Sequence, residues 1–512
     1  MQEIKHIPAE KFKLVQRDDQ IFDAKFQTKP IGYFKDAWLR FKRNSASVAA
    51  SYIIGAIIVF GIVVPFFSKY DLAYADAVYA KARPKLSIFK GTGFWDGSKS
   101  MKYNDKYLVY TVGIGYAEVN GDGKNSVSWD EAVKASPVVS MGAEFKDGKS
   151  TYRNVKVDSY RSIGFLYMNV SREAYDEIVA WEKKTGKQIL FPMIDYSNEF
   201  AASDEADANL WYKVDQREYA VDNEGKRLTL AQIQKNGLFD NYLRDKDGNV
   251  LYSVPKDKTM IGVRVLYYNY YQMKHGYEPA NAFGTDGQGF DIMVRMAHGV
   301  RLSLLLSIFV SAINFIIGSI YGSITGFYGG WIDLILERLT DILGGMPFIV
   351  VATLFQLYFV QTGKVSVFVG VLFAFVLTGW IGIGVRVRTQ FYRFKNQEYI
   401  LAARTLGASD IRLMFKHIYP NAIGTIITSV ALIIPGVILS ESTLSFLGIV
   451  SFHGKTMASL GTMLGSGQQY LSTDPHILFF PAGVISLMMI SFNLFGNGLR
   501  DAFNPSLRGV DD

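Results

Sequence analysis

No cysteine occurs anywhere in the 512-residue chain, which excludes disulfides, thiolate-bound metal and a cysteine nucleophile. Histidine is scarce too, six scattered residues without the spacing of a metal-ligand set. Charge is thin for a soluble protein, 20% against 49% hydrophobic residues, yet heavier than a chain lying wholly in a membrane carries. The net charge of +7 comes without a basic groove, interleaved aromatics or zinc spacing, so nucleic acid is excluded as a partner and Lys and Arg read as topological charge.

What charge there is leaves long gaps. Uncharged runs cover 46–67, 302–332, 342–363, 365–385, 417–440 and 475–499, and each reaches the ~20 residues that cross a hydrocarbon core. Six transmembrane helices are expected. Lys35, Arg40, Lys42 and Arg43 precede the first, which places the N-terminal segment 1–45 in the cytoplasm and residues 68–283 outside. The tail 501–512 then falls inside, and the connections at 361–366 and 441–476 fall outside. Arg295 and Arg301 lie on the outer side, where an interfacial helix would let them snorkel. Ala73 and Ala75 make an AxA match after the first span, but its apolar run is too long for a signal peptide's core, so 46–67 reads as a retained helix.

Residues 68–283 read as an inserted extracellular α+β domain. The stretches 107–119, 162–170 and 260–271, rich in aromatic and β-branched residues, predict strands. Ser171 predicts the cap of a helix through Ala174, Tyr175, Ile178 and Val179 that ends near Gly186, and Thr229 with Gln232 forms a capping box. Glu118, Asn120 and Asp122, with Gly123 at the turn, approach the pattern of a calcium loop, but Glu131 arrives too late for the closing position; a turn between strands is the simpler reading. The sequence DGKST at 147–151 ends like a phosphate-binding loop, yet Ala143 stands where such a loop needs Gly. No ATP site is expected in this chain.

Between the fourth and fifth apolar runs lies EYILAARTLGASDIRLMFKHIYPN, 398–421. Tyr399 to Leu406 are good helix formers, Gly407 suits a C-cap, and Ser409 is placed to cap a second helix carrying Ile411, Met414, Phe415 and Ile418, stopped at Pro420. Arg386, Arg388, Arg393, Lys395, Arg404, Arg412 and Lys416 crowd this region, which the positive-inside rule assigns to the cytoplasm. Such an elbow between spans offers a grip for a soluble partner.

The segment resembles the EAA loop of ABC-importer permeases through Ala402, Ala403, Gly407, Ile418 and Pro420, with Leu401 and Tyr419 where that family usually has Glu and Leu. GTDGQGFDIMVR (284–295, with Phe290 for Arg), FYGGWIDLILERLTDILGGMP (327–347), SESTLSFLGI (440–449), FNLFGNGLRDAFNP (492–505) and DAWLRFKRN (36–44) are similar to oligopeptide and dipeptide permeases of the OppC type. The resemblance covers 30–67 and 284–505 and leaves the insertion out.

That resemblance implies an all-α polytopic type I importer permease, its core at 284–500, that encloses a path together with a second, OppB-like permease. It implies two ATPase subunits of the OppD/OppF kind, which carry ATP and Mg while this chain binds no cofactor, and an extracellular peptide-binding lipoprotein or periplasmic protein that delivers oligopeptides or dipeptides. The elbow would couple to the ATPases through Ala402, Ala403, Arg404, Gly407, Ala408, Ser409 and Asp410, with Ala402 and Ala403 allowing close approach, Gly407 the turn, and Arg404 and Asp410 giving polar contacts. Related permeases carry nickel or sugars, so substrate stays open. A membrane-anchored receptor or enzyme acting through 68–283 is the alternative from another class.

Inside the apolar runs, Gly318, Gly322 and Gly326 form a double GxxxG that lets two helices approach closely, within the chain or against a second permease. Asn314, Gln356 and Asn493 are polar groups costly in lipid, expected to face protein or a transport pathway.

Overall fold

The computed structural model describes residues 32–120, 127–148, 150–196, 207–452 and 457–503. An amphipathic helix, Tyr33–Arg43, ends at Asn44, whose side chain accepts the Ser47 amide and so starts the first span, Ser45–Phe67. Ala37 and Phe41 bury against Ala502 and Phe495 of the last span, His476–Phe503. Among the described residues five helices are long and apolar enough to cross a bilayer: these two spans, Ile292–Tyr328, Val367–Phe394 and Asp410–Phe446.

The run at 342–363, expected to cross as one helix, is broken. Gly330–Gly344 and Phe348–Val360 meet at a 74° bend. Gly345 and Pro347 explain it, since Pro347 cannot donate to a continuing helix and sits at the N-cap of the next one. A sixth span exists only if the bent pair counts as one. Ile292–Tyr328 is 37 residues long, about 55 Å at ~1.5 Å per residue, so its first turns project beyond a hydrocarbon core of ~30 Å. No separate interfacial helix holds Arg295. The side chain is buried, stacks 4.3 Å over Phe290 and faces Asp286 at 3.8 Å, while Arg301 is half-buried beside Phe66.

Residues between the first span and Ile292 fold into two antiparallel sheets with helices. One holds β1 (Ser98–Tyr103), β2 (Val138–Asp147) and β3 (Ser150–Asp158) in the order β1-β3-β2. The other joins β4 (Phe165–Ser171), β5 (Leu190–Phe191), β6 (Ser253–Pro255) and β7 (Met260–Leu266), with β4, β5 and β6 all paired to β7. Of DGKST, Asp147 ends β2 and pairs with Ser150 at the start of β3, Gly148 has φ +63°, and Lys149 lies outside the described residues. The caps come out as expected: Ser171 accepts the Ala174 amide, Gly186 is left-handed at the helix end, and Thr229 and Gln232 satisfy each other.

Two strand expectations fail. Residues 107–119 lie in a helix, Asp105–Asn120, because the stretch from Leu108 to Ala117 is buried on nearly all sides and Gly115 lets the helix touch the carbonyl of Ala132. The expected strand 260–271 stops at Leu266, and Tyr267–His275 is helical. The turn around Asp122 and Gly123 lies outside the described residues; on either side of it are helices, not strands.

The insertion is bound firmly to the membrane helices. The Asp76 amide donates to Gly289 O (3.1 Å), that of Lys81 to Asp286 O (3.0 Å) and that of Thr285 to Ala82 O (3.0 Å), which ties the insertion to the segment leading into Ile292–Tyr328. Asp474, just before the last span, faces Lys99 at 3.3 Å and Arg83 at 3.5 Å.

Candidate functional site

The elbow begins with the helix Glu398–Thr405, closed by a Schellman pattern. The Ala408 amide donates to Ala403 O (3.1 Å), the Gly407 amide to Arg404 O (3.0 Å), and Gly407 takes φ +85°. The two residues that contact in such a cap, Ala403 and Ala408, both pack against one apolar cluster with Ile400, Leu413, Met414 and Ile418. Ser409 takes the extended N-cap conformation of the next helix, but its hydroxyl makes no capping bond.

Pro420, expected to stop that helix, does not. Leu413–Ile418 is wound as a π-helix, in which the Tyr419 amide reaches back five residues to Met414 O, and Pro420 enters the first turn of Tyr419–Ala431. The wider turn accommodates a residue with no N–H and a ring that would crowd an ordinary α-turn. Of the apolar residues assigned to this helix, Met414 and Ile418 face inward, whereas Ile411 and Phe415 face solvent. With Leu401 and Leu406, the latter 88% exposed, they form an outward apolar patch beside exposed Ala402, Arg404 and Asp410.

The glycine stripe answers the elbow from inside. A Cβ on Gly318 would lie 2.8 Å from Ile383 Cβ, one on Gly326 2.6 Å from Phe391 Cβ, and one on Gly322 would strike the Gly384 carbonyl. Its partner is thus Ile381–Phe394 of this chain, the helix that leads into the elbow. Polar bonds fasten the same seam. Lys395 donates to Gly326 O (3.0 Å), the Arg404 guanidinium lies 5.5 Å from the Phe327 ring centre, and Tyr419 donates to Ser319 Oγ (3.1 Å). Asn421 donates to the Tyr399 hydroxyl (3.3 Å), joining the two halves of the elbow; burial raises that phenol's pKa.

Sequence reasoning missed a third fastening. Arg388 donates to Asp333 (2.6 Å) and Glu337 (3.0 Å) of Gly330–Gly344, and Tyr392 donates to the same Asp333 oxygen. The available signal was Asp333 and Glu337 four apart on one helix face. Elbow, glycine helix and bent helix are joined.

Several expected residues are not part of this assembly. Asn314 is buried against Gly379, Gln356 is half-buried in the π-turn Gln356–Val360, and Asn493 is exposed and donates to Met489 O (2.8 Å). No hydrogen bond among the described residues joins any two of them. Glu118 accepts from Arg161 at 3.0 Å, Asn120 ends the same helix, and Asp122 lies outside the described residues.

Comparison with known proteins decides the family. Residues 32–84 match the N-terminal transmembrane domain of oligopeptide transport permease C, and 318–509 match the binding-protein-dependent transport system inner membrane component. The oligopeptide transport system permease protein OppC of Bacillus subtilis is 42% identical over 226 residues, 44% of this chain and 72% of that protein. The chain belongs to this permease family. The dipeptide transport system permease protein DppC of B. subtilis is 40% identical, covering 44% of this chain and 69% of its own, and OppC of Escherichia coli K12 is 35% identical, covering 45% and 74%. The permease is accordingly a multi-pass transport subunit of an ABC importer with the type I fold, not itself an enzyme. Neither family match extends into residues 85–317, which hold most of the insertion.

Proposed function

We propose that the permease carries oligopeptides or dipeptides inward, the substrates named for its B. subtilis and E. coli relatives. It crosses the membrane six times, the bent pair counting as one span, with its N-terminus, elbow and tail in the cytoplasm and residues 68–283 outside. A second permease completes the path, an extracellular binding protein delivers the peptide, and two ATPase subunits hold ATP and Mg beneath the elbow.

The observation that carries this reading is the elbow's two-sided build. Its inner face buries Ile400, Leu413, Met414 and Ile418 with Phe327 of the glycine helix and is tied to that helix by Arg404 and Tyr419, while Leu401, Leu406, Ile411 and Phe415 turn outward without cover. A short stiff segment so held passes a push from a partner groove into the spans, as rigid-body alternating access requires. The lack of native cysteine provides the test. Leu406→Cys should cross-link to the ATPase subunits in a nucleotide-dependent way, in membranes that take up peptide only when those subunits are present. Absence of any cross-link, or uptake without the ATPases, overturns the proposal.

A further inference from the structure

The loop Leu86–Trp95 leaves its large side chains uncovered. Ile88 is 87% exposed and Phe94 62%, and Leu86 is exposed beside them. Phe89, Phe94 and Trp95 form a run of ring contacts 5.2–5.9 Å apart, and Trp95 continues it to Phe480, 5.5 Å away in the last span. Phe283 stacks on Phe480 at 4.4 Å. Phe480 is the fifth residue of its helix, about 6 Å beyond the start at ~1.5 Å per residue. The charged cluster of Arg83, Lys99 and Asp474 lies before that start. The loop therefore reaches past the polar end of the span and lies alongside its apolar part.

An apolar groove of about 500 Å³ continues from the same rings between the first and last spans, lined by Ile53, Phe60, Phe283, Phe480, Val484 and Leu487. This surface is continuous with the lipid-facing sides of two spans, on which Phe66, Phe67 and Phe479 are also exposed. An aromatic belt at this level is where ring side chains collect in membrane proteins.

The loop backbone has the bonding that such a place demands, since unpaired peptide groups are costly away from water. Leu86 N donates to Trp95 O, Phe89 N to Leu86 O and Thr92 N to Phe89 O. Thr92 Oγ1 shares its one proton between the carbonyls of Phe89 (2.8 Å) and Phe94 (3.0 Å), Gly93 N donates to Asp96, and Lys156 donates to Gly93 O (2.7 Å). The Trp95 indole N–H is taken by Ala282 O. These polar groups are satisfied from behind while Leu86, Ile88 and Phe94 project, with Ser87 and Lys90 exposed beside them and the Lys90 stem long enough to snorkel.

We infer that Leu86–Trp95 is a membrane anchor of the insertion, with Ile88 and Phe94 seated in the outer-leaflet interface and a phospholipid acyl chain in the groove beside them. The inference rests on the proposed placement of the insertion outside the cell. It makes the insertion a body held to the bilayer as well as to the spans, at a fixed height over the entrance.

The test uses the full chain with one introduced cysteine at a time, Phe94→Cys, Ile88→Cys, or Asp247→Cys on an exposed turn elsewhere in the insertion. Nitroxide-labelled protein in vesicles of phosphatidylcholine and phosphatidylglycerol is probed with oxygen and with a water-soluble nickel chelate. Positions 94 and 88 should show an oxygen-to-nickel accessibility ratio several-fold above that at 247. A ratio equal to that at 247 overturns the anchor, as does protection from both reagents, which would mean a protein cover. If instead the topology is wrong, the Asp247→Cys variant in intact cells will resist a membrane-impermeant maleimide, a result separable from both.

Discussion

Gly407 sits at φ +85°, with nothing within 4 Å of where a Cβ would point, so substitution there meets a conformational cost and no clash. An L side chain in the left-handed region costs about 1–2 kcal/mol, least for Asn. Gly407→Val should leave the permease in the membrane and the proposed ATPase partners active while peptide uptake falls about tenfold or more, and Gly407→Asn should retain most uptake. Measuring both rates in reconstituted vesicles checks this; equal uptake by the Val variant would remove Gly407 from the coupling path. Gly407 was legible in the sequence because few residues serve a left-handed C-cap. Arg388 was not, since its partners Asp333 and Glu337 are some fifty residues away and a surplus of basic residues there has a sufficient topological explanation.

A second residue-scale expectation concerns Glu118 and Arg161. Burial raises the Glu118 carboxyl above its ordinary value, and Arg161 pulls it down. A carboxyl raised in the folded state binds protons more readily there than in the unfolded chain. Stability therefore falls as pH rises from the ordinary value through the folded one. Arg161→Met removes the opposing pull and widens that window. The variant should melt about 5 °C below the parent at neutral pH, with the deficit shrinking in acid. A deficit independent of pH would show that Arg161 acts through its bonds to the carbonyls of Ala135 and Ser136 alone.

At the scale of elements, glycine has opposite meanings in different helices. A methyl on Gly322 strikes the Gly384 carbonyl and comes within 2.7 Å of Val387 Cβ, whereas one on Gly436 meets nothing within 4 Å. Gly322→Ala should cost about 1–3 kcal/mol by overpacking, and Gly436→Ala should be neutral or stabilise by up to about 1 kcal/mol through helix propensity. Melting of the detergent-solubilised permease, followed by size-exclusion chromatography, distinguishes the signs. Helix ends marked by side chains, such as Ser171, Gly186 and the Thr229 box, could be read from sequence. Asp105–Asn120 could not, because nine of its residues are buried and burial on all sides erases the period that separates helix from strand. The break before Phe348 was signalled by Gly345 and Pro347 but hidden inside an uncharged run.

On the scale of the whole molecule, the apolar runs and OppC-like segments made the permease core legible, whereas the seat of the insertion joins residues nearly four hundred positions apart. Asp474, 2% exposed in its side chain, lies between Lys99 and Arg83, and Arg83 also donates to Thr473 O (2.8 Å) and meets His476 Nδ1 at 3.3 Å. Asp474→Asn leaves two cations without a buried counter-charge, the arrangement in which losing one partner is costly. Amide exchange at 81–85 and 98–103 should then rise about tenfold or more, because a local junction opens without global unfolding. The elbow lies toward the other end of a 28-residue last span, about 40 Å long, so exchange at 398–421 should not change. If exchange rises at both places, insertion and elbow share one cooperative unit. If it rises at neither, backbone bonds such as Lys81 to Asp286 hold the insertion without help from charge.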